Sequence, residues 1–186
     1  MNQRRSFLKS SVVLASALTV PGFARASVAA SAPAATPATG ERVLRLYNTH
    51  TGESLRSVFW AEGKFDPSAL VDINKLLRDH RNNSVADMDP QLLVLLNQVS
   101  DKFGSQKVLH VISGYRSPES NRLLSEQSGG VAKHSMHMEG KAIDIRMPGQ
   151  DLAGLRKAAL ALNAGGVGYY PESQFVHMDT GRVRHW

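Results

Sequence analysis

The chain of 186 residues contains no cysteine. Disulfides are therefore excluded, as is every zinc site that uses thiolate, and any metal must be held by His, Asp or Glu. It also lacks an apolar run long enough to cross a bilayer as a permanent helix. The nearest approach, residues 11–20, falls well short of the roughly 20 residues needed. A large charge excess is missing too. The formal net charge is +6, but four of the 22 basic residues (Arg4, Arg5, Lys9 and Arg25) lie in the first 26 positions, with none of the 16 acids. Without that segment, 18 basic residues face 16 acids. The pI near 9.8 is therefore poor support for nucleic-acid binding, and no nucleic-acid partner is expected.

The first 26 residues read as an export signal. A charged start, Arg4-Arg5-Ser6-Phe7-Leu8-Lys9, precedes the apolar run, and Ala24-Arg25-Ala26 offers small residues at signal-peptidase spacing. The paired arginines followed by Phe-Leu-Lys resemble a twin-arginine signal. A periplasmic protein that folds before export is expected, with no membrane span after cleavage. Retention of the segment as an anchor is the alternative. Residues 27–40, rich in Ala, Ser, Pro and Thr and free of charge, read as a flexible linker. One domain is expected over residues 41–186. Hydrophobic residues make up 42% of the chain, enough for a core, and no surplus apolar face suggests more than a monomer.

The periodicities predict an α+β fold: a small, mainly antiparallel sheet with helices packed against it. Residues 42–47 and 53–60 alternate around Thr51-Gly52 as a hairpin. Asp66-Pro67 and Asp89-Pro90 each read as an N-cap followed by Pro at the first helical position, with Leu and Ile behind them at helical spacing. Residues 108–112 predict a strand and Ser117-Pro118-Glu119 a short helix. Further strands are predicted over 141–147, 167–170 and 174–178, with a helix over 151–163.

Seven histidines are present. His50, His80, His110 and His185 sit singly and suit ordinary surface or core roles. His137 is different. It ends a loop, and Gly140 permits a tight turn into a strand where Ala142, Asp144 and Arg146 share one face and Ile143, Ile145 and Met147 the other. Asp144 thus points away from the core toward His137. In the last strand Phe175, His177 and Asp179 share a face. Two imidazoles and one carboxylate would leave one position of tetrahedral zinc open, the catalytic arrangement. A buried ion pair or a satisfied core histidine would explain the same spacing.

Ser135, His137, Gly140, Ala142 and Asp144 match the Ser-x-His-x-x-Gly-x-Ala-x-Asp motif of the D-Ala-D-Ala peptidase and hedgehog-type zinc metallopeptidases. Ser113-Gly114-Tyr115-Arg116-Ser117 matches the block these carry upstream. Residues 48–54, 165–171, 175–181 and 184–186 resemble a narrower branch of murein endopeptidases. The similarity covers nearly everything from residue 41. It implies that His137, Asp144 and His177 bind Zn2+, and that Arg116 faces the substrate and stabilises an oxyanion or a carboxylate. It implies hydrolysis of amide bonds in peptidoglycan cross-links, diaminopimelate–diaminopimelate bonds among them. A DD- or LD-carboxypeptidase and a non-catalytic zinc-containing peptidoglycan-binding module are the alternatives. An iron oxygenase, suggested by His177-x-Asp179, would need a distal His far downstream, and only His185 follows.

The resemblance breaks at the general base. Many relatives carry Glu or Asp three residues before the last ligand, and others a His two before it. Here these positions are Gln174 and Phe175. Asp179 is the candidate base, with Glu139 next; the alternative is that Asp179 bonds a ligand or Arg116. Ser135 would support the ligand loop. Tyr115 and Tyr170 would either line the cleft or pack, and His134 would sit at the rim.

Overall fold

The computed structural model describes residues 40–104, 106–127 and 132–186. The expected signal segment and nearly all of the expected linker lie outside the described residues. Among the described residues, no helix is long and apolar enough to cross a membrane.

The fold is α+β. Among the described residues, eight strands form one sheet: β1 (Arg42–Asn48), β2 (Ser54–Ala61), β3 (Lys64–Phe65), β4 (Leu109–Ser113), β5 (Ala142–Arg146), β6 (Gly166–Tyr170), β7 (Phe175–Asp179) and β8 (Arg184–His185). Their spatial order is β3-β2-β1-β4-β5-β7-β6-β8. Every pairing is antiparallel except β1 with β4 and β6 with β8. The sheet is wider than the sequence predicts because two-residue strands extend both edges. Strands that short carry no readable alternation.

Among the described residues, four helices accompany the sheet: α1 (Pro67–Leu76), α2 (Pro90–Asp101), α3 (Pro118–Gln127) and α4 (Leu152–Leu160). The two Asp-Pro devices work as expected. The Asp66 carboxylate accepts from the Ser68 and Ala69 amides, and the Asp89 carboxylate from the Gln91 amide. Each satisfies N–H groups that the first helical turn leaves open, a contribution of about 1 kcal/mol. Behind these caps, Ile73 and Leu77 and then Leu92, Leu93, Leu96 and Val99 are fully buried. They share one core with Leu44 and Leu46 of β1, Ile143 and Ile145 of β5, and Val176 and Met178 of β7. At about 1.5–3 kcal/mol per fully buried large aliphatic side chain, this core dominates the favourable side of folding.

Strand alternation then decides where the chemistry lies. With Ile143, Ile145, Val176 and Met178 committed to the core, Asp144 and His177 must point to the opposite face.

His50 and His80, expected to be unremarkable singly, come together. Their rings stack 3.8 Å apart and 7° from parallel. Burial, with the nearby cations Arg81 and Arg116 and the His50 ring and against the opposing pull of Asp79, pushes the His80 imidazole down to about 4. The unfolded chain takes up this proton near pH 6.5 and the folded chain only near 4, so stability falls as pH drops through that window. Replacing His80 with Gln should flatten the fall, read as a smaller difference in urea midpoint between pH 7 and pH 4.5. An unchanged difference would remove His80 as its source.

Candidate metal centre

The site begins with a row across the sheet. Ser113 of β4 pairs with Asp144 of β5, Asp144 with His177 of β7, and His177 with Gly168 of β6. Residues directly opposite one another on neighbouring strands point to the same face. Asp144 and His177 therefore meet by register, and the His177 Nδ1 lies 2.9 Å from the Asp144 Oδ1.

His137 arrives from outside the sheet, on a single 3₁₀ turn (Met136–Glu139). The Ser135 hydroxyl caps that turn by accepting the His137 amide at 3.3 Å. Ser135 thus supports the ligand loop, as expected. Gly140 closes the turn at φ 67°, where a β-carbon would collide with the Asp87 carbonyl. The Gly140 carbonyl accepts the Asp89 amide at 2.9 Å, latching the turn to the start of α2. Two bonds then aim the imidazole. The Arg116 amide donates to the His137 carbonyl at 3.1 Å, and the His137 Nδ1 lies 2.7 Å from the Gly114 carbonyl. A carbonyl only accepts, so Nδ1 carries the hydrogen and Nε2 presents its lone pair. That lone pair faces the Asp144 Oδ2 at 3.4 Å.

His177 is held from behind in a related way. Its Nε2 donates to the Asp179 Oδ2 at 2.9 Å. Asp179 is fully buried and also accepts the Gly166 and Gly181 amides and two nitrogens of Arg184. Burial would raise its carboxyl, but His177, Arg184 and the two amides overcome this and hold it well below the usual range. An ionised Asp179 fixes the His177 hydrogen on Nε2 and turns Nδ1 toward Asp144, the carboxylate–histidine arrangement found behind metal ligands.

The donor set fits a cation. One ligand atom from each of His137, Asp144 and His177 lies within 4.8 Å of the others, and all three residues are buried. Donors about 2.0–2.1 Å from a tetrahedral centre would lie roughly 3.3 Å apart; here the Asp144 carboxylate lies 2.9 Å from the His177 Nδ1 through Oδ1 and 3.4 Å from the His137 Nε2 through Oδ2. Two imidazole lone pairs and a carboxylate repel one another unless something positive lies between them. In the protein alone that role falls to a proton on His177. Burial lowers this imidazole, but Asp144 and Asp179 raise it above its ordinary value. Burial likewise raises the Asp144 carboxyl, and the facing imidazoles more than reverse this, holding it well below the usual range.

The three residues lie in a cleft with a volume of about 370 Å³, also lined by Arg116, His134, Ser135, Tyr170, Phe175 and Trp186. Among the described residues, the Arg116 guanidinium makes only long contacts, 3.4 Å each, with Asn121 and Ser113. No carboxylate pairs with it among the described residues, and its Nε is buried without a partner. Burial lowers its guanidinium while Asp144 raises it. Such a donor is free to take an anion.

Other sequence candidates fall outside the cleft. Asp179 does not line it and instead stands behind His177. Glu139 is exposed and paired with Lys141 at 2.9 Å. Gln174, at φ 57° in the turn before β7, lines a different cavity with His110 and Arg146. Tyr115 packs on the core, whereas Tyr170 lines the cleft. Sequence reasoning missed Trp186 as a cleft residue and Arg184 as the partner of Asp179. Their only advance signal was membership of the carboxy-terminal block of the resemblance.

Residues 36–186 match the family model described as peptidoglycan L,D-endopeptidase MepK. The chain is 41% identical over 186 residues to the peptidoglycan L,D-endopeptidase MepK of Escherichia coli K12, covering all of this chain and 97% of that protein. It is 43% identical over 146 residues to a probable peptidoglycan L,D-endopeptidase MepK of Haemophilus influenzae, covering 78% of each. With residues 36–186 matched by the family model and a His-Asp-His cluster in the cleft that could hold a metal, the protein belongs to the MepK family of peptidoglycan L,D-endopeptidases.

Proposed function

We propose that this chain is a zinc-dependent endopeptidase that hydrolyses amide bonds in peptidoglycan cross-links, diaminopimelate–diaminopimelate bonds among them. The observation that carries the reading is the convergence in one open cleft of the His137 Nε2 and the His177 Nδ1, each imidazole aimed by a partner behind it, with the Asp144 carboxylate between them. Two nitrogens and one oxygen suit Zn2+ with a position left for reactants. Zinc bound there supplies an acidified water and polarisation of the scissile carbonyl.

The chain's own side chains do the rest. Asp144 supplies the negative charge of the ligand set. His137 and His177 keep fixed tautomers, so neither must reorient when the metal binds. Arg116 presents a planar, unpaired guanidinium beside the cleft, suited to the charge that develops on the carbonyl oxygen or to a substrate carboxylate. Asp179 acts through His177 as a positioning residue. Among the described residues that line the cleft, the proton-accepting groups beyond His137 and His177 are the ligand Asp144 and the rim imidazole of His134. Action on peptidoglycan goes with an extracytoplasmic location, reached by the twin-arginine route that residues 1–26 resemble. We take the working form to be a monomer.

Digestion of purified peptidoglycan tests the reading directly. The zinc-loaded mature protein should remove cross-linked dimers from the muropeptide mass spectrum, and His177→Ala should leave them intact and lose stoichiometric metal. Dimers that persist in the presence of zinc-loaded wild type would reduce the domain to a binding module.

Arg116→Ala should keep the metal and lower kcat/KM by about 10²- to 10³-fold, the usual loss for an oxyanion donor. A loss confined to KM would assign it to a substrate carboxylate in the ground state.

Asp179→Asn should weaken metal affinity by about 10- to 100-fold, measured by competition with a chromophoric chelator. Unchanged affinity with turnover slowed a hundredfold or more would return Asp179 to the role of general base.

A further inference from the structure

One wall of the cleft is aromatic, and the metal ligands do not account for it. Tyr170 and Phe175 stack with ring centroids 4.6 Å apart. The Trp186 Nε1 donates to the Tyr170 hydroxyl at 2.7 Å, and the indole lies 5.3 Å from the His177 ring. Trp186 remains 46% exposed. A large apolar ring left in water normally keeps its freedom, yet this one is fixed from several directions. Its backbone pairs with β6, through the Trp186 amide to the Val167 carbonyl at 3.2 Å and the Tyr169 amide to the Trp186 carbonyl at 3.1 Å. The Arg184 guanidinium stacks on it at 5.0 Å. Beneath it lies Gly168, where a β-carbon would fall 2.7 Å from the indole, so the ring occupies the space that any other residue would fill. Holding an apolar face rigid and wet costs both side-chain entropy and exposure. The offset comes when something covers it.

We propose that Tyr170, Phe175 and Trp186 form a specificity wall that seats the aliphatic arm of a diaminopimelate residue beside the scissile bond. This rests on the peptidoglycan reading above and names the part of the substrate that the site selects. The arm is three methylenes long and ends in a carbon bearing an ammonium and a carboxylate. The methylenes cover ring faces, and the ammonium is attracted to the electron-rich faces of Trp and Tyr. An alanine at the same position offers neither. The wall is also linked to His177, because Arg184 stacks on Trp186 while its guanidinium grips Asp179, which accepts from the His177 Nε2.

Two measurements test the wall. Trp60 and Trp186 are the two tryptophans of the chain, so in Trp60→Phe the emission reports Trp186 alone. Zinc-loaded Trp60→Phe should show a saturable emission change with a muropeptide monomer ending in diaminopimelate, and bind at least about tenfold more weakly to a counterpart with alanine in place of the diaminopimelate. With cross-linked dimers, Trp186→Ala should raise KM about tenfold while kcat and bound metal hold, and Trp186→Phe should recover most of the loss. Equal affinity for the two monomers, or no emission change, overturns the proposal. So does a Trp186→Ala protein that loses metal and kcat at unchanged KM, since the ring would then only buttress His177. If wild type leaves dimers uncut while the selective emission change persists, the endopeptidase reading fails and the wall stands.

Discussion

The register of β5 against β7 is the constraint on which the site depends. It puts Asp144 opposite His177 and, one strand further on either side, Ser113 and Gly168 in the same row. Each member of the row has its own task. Ser113 touches Arg116, Asp144 and His177 offer atoms that could hold a metal, and Gly168 makes room for Trp186. A slip of one residue would send Asp144 and His177 into the hydrocarbon core and bring Ile and Val out to the cleft. The buried aliphatic residues therefore specify the metal centre as firmly as they stabilise the fold. The same alternation that hides Ile143, Ile145, Val176 and Met178 aims the ligands.

Electrostatics completes what register begins. Asp144, His177, Asp179 and Arg184 form a chain of alternating charge when His177 carries a proton: acid, imidazolium, acid, guanidinium. Buried charges are costly when unpaired, and in this chain each has a neighbour of opposite sign. Exchanging the proton on the His177 Nδ1 for a metal keeps that alternation. The rear of the chain, from Nε2 through Asp179 to Arg184, needs no rearrangement. The cluster is stable as a protein interior and competent as a ligand set for one reason, which is that both states need positive charge at the same place.

Much of this was legible in the chain. Asp-Pro pairs before Leu-rich runs announced two helices through local chemistry. Ile-Asp-Ile in β5 and Val-His-Met in β7 announced a polar side chain placed opposite a core face. What could not be read depends on partners distant in sequence. The role of Asp179 turns on Arg184 and on two backbone amides delivered by Gly166 and Gly181. Face-sharing with His177 was visible, but which side of the imidazole it would occupy was not. The aromatic wall needed the two-residue strand β8 to pair in parallel with β6, and so brief an element has no periodicity to detect. His50 and His80 looked solitary because their stacking joins the turn between β1 and β2 to the loop that follows α1.

The three ligands are not mounted alike. Asp144 and His177 sit on central strands, braced by ladders on both sides, whereas His137 rides on a single 3₁₀ turn capped by the Ser135 hydroxyl and latched through the Gly140 carbonyl to the Asp89 amide. Stiffness therefore differs sharply around one small centre. An ion held there would meet its one compliant ligand on the turn, which alone of the three mounts could lift without unzipping the sheet. The lifetime of such an ion would then be a property of that latch, and its affinity a property of the whole trio.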